Sequence, residues 1–395
     1  MGNSIKVLSM DGGNGINTAL LLQRLETSSP HQNFLNQADV FAGTSAGGIN
    51  ALFFAAADQP ADALAHIQQF WMEVNHSILD GLKIKADEAV RSTVAGAEQK
   101  NALNPATEDH WQELGAEILR TALGIGETVT GFRSLFLNDL LKKFLSKYFG
   151  ENTTLGSLKR GVITVTFELD NRKTGIDRSW VPRLFTNLPS LPTGPHGAMK
   201  KASAADANER IVDVAMRTSA APLELPIYQS THGGTGHSGY VDGGLVANNP
   251  AMVALSSIVG TLFCGTHHHK PQAPAESLSQ VHMLSVGTGR NLVGKAQYLA
   301  PEFTNGSAAW GYRQWLLDPA NPLVLIDAFL QAGNEAASWE CEIMLGAKQF
   351  HRLNVPLERM CVIGDPETEA RVARAAAWLT TTDWFSAGPR GLTAI

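Results

Sequence analysis

The stretch VFAGTSAGGINALFF, Val40 to Phe54, decides how this chain is read. A β-rich run enters Gly43-Thr44-Ser45-Ala46-Gly47 and leaves as a run of small and apolar residues. The strand must stop and a helix must start within about two residues, which strains the backbone at the serine. Bulky neighbours would clash there. The bend leaves one hydroxyl exposed at a helix N-terminus, where the dipole favours developing negative charge. In this strand–turn–helix setting the G-x-S-x-G spacing marks Ser45 as a candidate nucleophile. The alternative is a tight structural turn with a hydrophilic tip.

The pattern occurs once more upstream. Ile5–Met10 is a short β-rich run that ends in Asp11-Gly12-Gly13-Asn14-Gly15, and Thr18–Glu26 carries leucines at helical spacing. Two strand–turn–helix units before Asp58 predict an α/β fold with a parallel sheet. Glycines in the first turn let backbone N–H groups point at an anion, which suits an oxyanion hole. A dinucleotide-binding loop would want an acidic residue at the end of the second strand. That strand ends in the serine elbow instead.

The chain has 395 residues, 44% of them hydrophobic, ample for a large core. Charged residues make up 17%, against roughly a quarter in an average soluble chain. The net charge of −6 comes with no basic block, so nucleic acid is excluded as a main partner. Cys264, Cys341 and Cys361 show no metal or CxxC spacing and read as free thiols of a reducing, cytoplasmic setting. The start MGNSIKVLSM has no apolar leader core, and Lys6 stands where a myristoylation signal needs Ser or Thr. No apolar run reaches the roughly 18 residues of a spanning helix. Membrane contact is therefore expected to be peripheral, at the inner face.

Along the chain, one domain over 1–360 is expected, with 58–132 as a cap or insertion. Residues 361–395 form a C-terminal tail packed on or flanking it. Helical patches flank a polar, Ala-rich stretch near Ala86–Thr107. FLNDLLKKFLSKYFG places Leu137, Leu140, Leu141, Phe144, Leu145 and Tyr148 on one helical face, either packed on the sheet or membrane-seeking. Gly161–Leu169 reads as a strand, Ser190–Asn208 as a loop, and IVDVAMRTSAAP as a helix ended by Pro222. YVDGGLVANNPAMVAL reads as strand, turn and helix, and QVHMLSVGTG as a core strand. Helical segments from Pro322 to Lys348 precede a polar tail.

A serine nucleophile needs a base. In an α/β-hydrolase several strands precede the elbow, and acid and histidine follow it. Here only one strand precedes it. His267–His269, His282 and His351 sit in no setting built for catalysis, and three adjacent histidines point different ways, as in a solvated loop. Asp242 ends a strand, is followed by Gly243 and Gly244, and precedes a helix with Pro250 in its first turn. It is either a general base or a turn-capping aspartate.

Taken together, DGGNG, GTSAGG and DGGLVANNP resemble the motifs of the patatin-like phospholipase family. TSAAP, SVGTG and FHRLNVPL (Phe350–Leu357) are similar too, so the resemblance runs from Ile5 to Leu357. It implies a three-layer α/β/α fold with a mostly parallel sheet and a Ser–Asp dyad that hydrolyses lipid acyl esters, of phospholipase A or lysophospholipase type. Ser45 matches the nucleophile and Asp242 the base. Gly12 and Gly13 match the oxyanion glycines, joined by Asn14, Gly15 and Ala46. Asp11, Gly43, Gly47, Gly243 and Gly244 support the motifs. No cofactor or metal is implied, and the partner is a lipid or membrane-surface substrate. Some bacterial relatives are switched on by a cyclic nucleotide. No basic pocket for such an activator can be assigned here, and that question stays open.

One departure stands out. Asn14 replaces the third glycine, Ile16 holds the basic position, and Asn17 stands where a glycine is common. The expectation is that Gly15 plays the third-glycine role and that the Asn14 amide donates in place of the cation. Two alternatives share the site: an acyl-transferring or small-ester enzyme, and a catalytically silent lipid-binding protein. Partial burial is expected to raise the Asp242 pKa, with no histidine-like loss of rate between about pH 7 and 6.

Overall fold

Side chains of the first strand alternate between two apolar layers, as a strand buried on both faces requires. Leu8 and Met10 join one core cluster, and Ile5 and Val7 the other. The computed structural model describes residues 4–28, 33–77, 138–188, 206–222, 224–229, 238–264, 274–289, 310–311, 315, 324–356, 364–385 and 389.

The strands are β1 (Ile5–Met10), β2 (Val40–Thr44), β3 (Gly161–Glu168), β4 (Val181–Thr186), β5 (Tyr228–Gln229), β6 (Gly239–Asp242), β7 (Val281–Val286) and β8 (Phe350–Leu353). They form one sheet in the order β5-β6-β3-β2-β1-β7-β8, and β4 pairs with β3. β1, β2, β3, β7 and β8 run parallel. β4 and β6 run antiparallel to β3, and β5 antiparallel to β6.

The helices are α1 (Gly15–Ser28), α2 (Ala46–Ala56), α3 (63–77), α4 (Asn138–Phe149), α5 (Ile211–Thr218), α6 (Gly244–Ala247), α7 (Ala251–Cys264), α8 (Pro274–Leu278), α9 (Val324–Leu345) and α10 (Pro366–Thr381). One face of the sheet is covered by α1, α2, α3, α5 and α10, through Leu22, Phe54, Phe70, Val214 and Leu379 among others. The other is covered by α7 and α9, through Leu255, Ile258, Cys341 and Leu345. The result is the three-layer α/β/α arrangement with a mostly parallel sheet.

Three regions differ from the sequence reading or refine it. α3 opens the 58–132 span and buries Leu64, Ile67, Phe70 and Val74 in the core, so this part of the span is core rather than cap. Residues 78–132 lie outside the described residues. In α4, Phe149 and Tyr148 pack on Phe53, with ring centroids 4.4 and 5.8 Å away, so that part of its apolar face is internal, while Leu140 is exposed. The expected polar tail contains β8 and α10, and α10 buries Val372, Ala375 and Leu379. Of the expected loop Ser190–Asn208, only the turn Asp206–Asn208 is described.

β1 lies between β2 and β7, so the chain turns opposite ways from its two sides. In open α/β sheets the crevice at such a switch point, outside the carboxyl ends of the strands, is where ligands bind. The Asp11–Gly13 loop leaves β1 there.

Candidate active site

Two strands meet head-on to build the centre of the site. β4 occupies one edge of β3 from Ile163 to Glu168. Both β2 and β6 must therefore use the other edge. β2 runs up it and stops with Thr44 beside Val165, and β6 runs down it and stops with Asp242 beside Thr166. Ser45 and Asp242 stand where the two strand ends face each other.

Ser45 has φ 54° and ψ −125°, a conformation that L-residues rarely adopt. Its neighbours hold it there. Its N–H donates to Thr218 Oγ1 at 2.9 Å, and that hydroxyl donates to the Val165 carbonyl at 2.5 Å. A Cβ on Gly47 would lie 2.3 Å from the Met10 carbonyl oxygen, and one on Gly43 would lie 2.1 Å from the Gly47 carbonyl oxygen. The elbow closes only because both lack side chains. Strain of this kind at a polar residue in a crevice is a mark of function.

Asp242 is buried, and the neighbouring Ser45 hydroxyl favours its charged form. Its carboxylate accepts from the Gly244 N–H at 2.6 Å. Gly243 fits because a Cβ there would fall 2.1 Å from the Val165 carbonyl oxygen. Burial pushes the Asp242 carboxyl up to about 7, with a smaller push from Glu224; the Ser45 hydroxyl and the Gly244 N–H pull the other way. The turn-capping alternative is thus seen in the structure, and the same side chain lies beside the serine. Burial lifts the carboxyl toward the imidazole range, which argues against the expected flat rate between pH 7 and 6.

The glycine loop flanks Ser45 on the other side. A Cβ on Gly12 would sit 3.2 Å from Ser45 Cβ and 2.3 Å from Asn248 Oδ1. The Gly12 N–H is engaged: it donates to the Asn248 carbonyl at 2.9 Å. Gly13 has φ 120° and is exposed, a conformation open to glycine. Ala46 opens α2, where no preceding turn supplies an acceptor for its N–H.

Two further contacts belong to this loop. Asn14 Oδ1 accepts from the Asn17 N–H at 3.4 Å, at the start of α1. Gly15 is closely packed. A Cβ there would lie 2.3 Å from the Trp71 ring, and its carbonyl accepts from Asn50 Nδ2 at 2.9 Å.

Sequence reasoning missed Arg352. From β8 it donates to Asp11 Oδ1 at 2.8 Å and to Ser285 Oγ at 2.8 Å, and its second nitrogen pairs with Asp11 Oδ2. Burial raises the Asp11 carboxyl, and the guanidinium opposes that rise. Asn248 and Asn249 were quoted in the sequence without a role. Asn248 brackets Gly12, and Asn249 Nδ2 reaches Ser338 Oγ on α9 at 3.0 Å. Thr44 Oγ1 donates to the Ala247 carbonyl at 2.6 Å. The segment from Asp242 to Asn249 is thereby tied both to the elbow and to the glycine loop.

A cavity of about 200 Å³ lies behind this ion pair, lined by Glu335, Ser338, Arg352, Asn354, Val355, Pro356 and Arg371. Neither Ser45 nor Asp242 lines it. His351 is half-buried and stacks on Trp378 at 5.7 Å, and burial lowers its pKa to about 4. His282 pairs in register with Lys6, near the start of β1 and away from the elbow. His267–His269 and Cys361 lie outside the described residues. Among the described residues no cluster of His, Cys, Asp or Glu is arranged to hold a metal, and no helix is long and apolar enough to cross a membrane.

The site thus sets a strained serine on a strand–helix elbow beside a buried carboxyl and a glycine loop. The chain belongs to the patatin-like phospholipase family, whose profile matches residues 8–255. Members of this family are lipid acyl hydrolases. The chain is similar to patatin-like protein 2 of Arabidopsis thaliana, 24% identical, covering 92% of this chain and 78% of that protein. It is also similar to the putative sporulation hydrolase CotR of Bacillus subtilis, 25% identical over 72% of this chain and 62% of that protein. The solved structure of VipD from Legionella pneumophila overlaps 96% of this chain and 67% of that one, with 14% identity and a TM-score of 0.36, a likeness too weak to build on.

Proposed function

We propose that this chain is a phospholipase A or lysophospholipase type enzyme that works through a Ser45–Asp242 dyad and an acyl-enzyme. The observation that carries the reading is the strained Ser45 set beside a buried Asp242 where β2 and β6 end, with the Asp242 pKa raised to about 7. A carboxylate near its ordinary value is a weak base at neutral pH, and one near 7 is matched to the task.

In this mechanism Asp242 takes the Ser45 proton as Oγ attacks the ester carbonyl. The N–H groups of Gly13 and Ala46 face the developing oxyanion. Gly12 lines the loop without donating, since its N–H is held by Asn248. The leaving alcohol takes the proton back from Asp242. A water, deprotonated by the same carboxylate, then attacks the acyl-enzyme and frees the fatty acid. No third residue is needed, because a carboxylate held by the Gly244 N–H needs no partner to orient it. The absent basic residue at Ile16 bears on the head group more than on this chemistry.

The test is free fatty acid release from phospholipid and neutral-ester vesicles by wild type, Ser45→Ala and Asp242→Asn. Release by wild type and its loss in both variants is expected, with a fluorophosphonate probe labelling Ser45. Release that persists in Ser45→Ala would sink the dyad.

A further inference from the structure

β3 outruns the site. At Val165 it is level with Thr44, yet it continues to Glu168 and on into a hairpin with β4. At about 3.3 Å per residue, Asn171 lies roughly 20 Å further along the strand direction than the elbow. The hairpin tip therefore overhangs the edge of the sheet from which Ser45 projects.

The tip is built rather than loose. Asn171 N–H donates to the Ser179 carbonyl at 3.0 Å, and Asn171 Nδ2 to the Asp177 carbonyl at 2.8 Å. Asp170 holds the Arg172 N–H at 2.9 Å and is gripped by Arg178 through Nε at 3.0 Å and a second nitrogen at 2.6 Å. Arg172 takes φ 58° within this frame. On it sit nine consecutive exposed residues, Arg172 to Trp180. Ile176 is 100% exposed and Trp180 is 68% exposed, its ring edge-on to Phe167 at 6.3 Å. Single exposed apolar residues are ordinary. A fixed turn that presents an isoleucine at its tip, a tryptophan at its shoulder and Arg172 and Lys173 beside them is the composition of an interfacial anchor.

We propose that the Asn171–Trp180 hairpin docks the enzyme on an anionic lipid surface, with Ile176 inserted, Trp180 at head-group depth and Arg172 and Lys173 on lipid phosphates. Charge points to this occupant: a chain of net charge −6 is repelled by such a surface overall, and this tip carries three cations against Asp170 and Asp177. Docking there turns the Ser45 edge of the sheet toward the membrane. The proposal deepens the lipid-hydrolase reading and rests on it.

The test measures binding apart from reaction. Wild type, Ile176→Asp, Trp180→Ser and the Arg172→Glu/Lys173→Glu double variant are sedimented with vesicles of non-hydrolysable dialkyl-ether phosphatidylcholine, with and without ether-linked phosphatidylglycerol. Wild type is expected to pellet with the anionic vesicles. Ile176→Asp should weaken binding by roughly tenfold or more, the worth of one buried apolar side chain. The double charge variant should weaken it by roughly fivefold per cation lost, with the difference shrinking in high salt. Turnover of a soluble short-chain ester and the melting temperature should stay at wild-type values in all three. Wild type left in the supernatant, or Ile176→Asp pelleting like wild type, overturns the proposal. So does a parallel loss of short-chain ester turnover, which would place the hairpin in the reaction itself. An inactive wild type that still binds through Ile176 would refute the hydrolase reading and leave the docking surface standing.

Discussion

Arg352, on the edge strand β8, reaches past β7 and grips both carboxylate oxygens of Asp11 at the foot of the glycine loop. Ser285 on the intervening strand accepts from the same guanidinium. Asp11 is buried, and burial alone would favour its neutral form. The fork keeps a negative charge where β1 ends, and so fixes the direction in which Gly12 and Gly13 leave the sheet. Arg352→Ala leaves that carboxylate without its cation, at a cost of about 3–5 kcal/mol. Arg352→Lys keeps the charge and loses the two-pronged geometry. It should fold, melt a few degrees lower and lose kcat on a short-chain ester with KM unchanged. Thermal melts beside steady-state kinetics check this, and an Arg352→Ala protein that melts like wild type would show that the loop is held otherwise.

The raised Asp242 pKa makes two linked pH predictions. The base works when deprotonated, so kcat/KM should climb through about pH 7 and level off above it, falling roughly tenfold per unit on the acid side. Asp242→Asn should be slow at every pH. Stability follows the opposite sense. A carboxyl whose folded pKa lies above its unfolded value favours the fold when protonated. Its contribution is full below the unfolded value near 3.9 and is lost as pH rises through about 7. Asp242→Asn should therefore melt above wild type at pH 8, by on the order of several degrees, with the gap closing toward pH 4. Melting curves across that range check the sign. A variant less stable than wild type at pH 8 would mean that the carboxylate is satisfied when charged.

Ser45 and Asp242 are legible in the sequence because an elbow and a tight turn draw their small residues from contiguous positions. The parallel sheet is legible for a like reason, since each strand–turn–helix unit is local. Arg352 is not, because 341 residues separate it from Asp11 and nothing in FHRL distinguishes it from a solvated arginine. β4 was hidden by Pro182, which argues against a central strand; among the described residues β4 pairs only with β3, where a proline is tolerated. α10 carried a readable start that the polar-tail reading passed over. Asp365 caps it by accepting from the Thr368 N–H at 2.8 Å, Pro366 follows, and Glu367 and Glu369 sit in the first turn. The raised pKa of Asp242 was anticipated in direction and underestimated in extent, since composition does not tell how fully a strand end is buried.

The backbone at Ser45 supplies a test of stored strain. A non-glycine residue at φ 54°, ψ −125° costs on the order of 1–3 kcal/mol. Glycine adopts that region freely, at the expense of a more mobile unfolded chain. Ser45→Gly and Ser45→Ala should both lack turnover and fluorophosphonate labelling. Ser45→Gly should be the more stable of the two, by about 1 kcal/mol in urea unfolding. Equal stabilities would mean that the elbow is relaxed.

Gly15 and Trp71 form the last test, one of packing beneath the loop. Trp71 Nε1 donates to Asn50 Oδ1 at 2.8 Å, Asn50 Nδ2 donates to the Gly15 carbonyl at 2.9 Å, and the indole ring lies over the glycine. A methyl group at Gly15 has no room unless the ring moves, so Gly15→Ala should cost about 1–3 kcal/mol despite its gain in helix propensity. Trp71→Ala opens the space, and the double variant should be more stable than the sum of the single changes allows. A double-mutant cycle read by urea unfolding measures that coupling. Activity adds a second readout: where Gly15→Ala lowers kcat by displacing the loop, the double variant should regain it once the ring is gone.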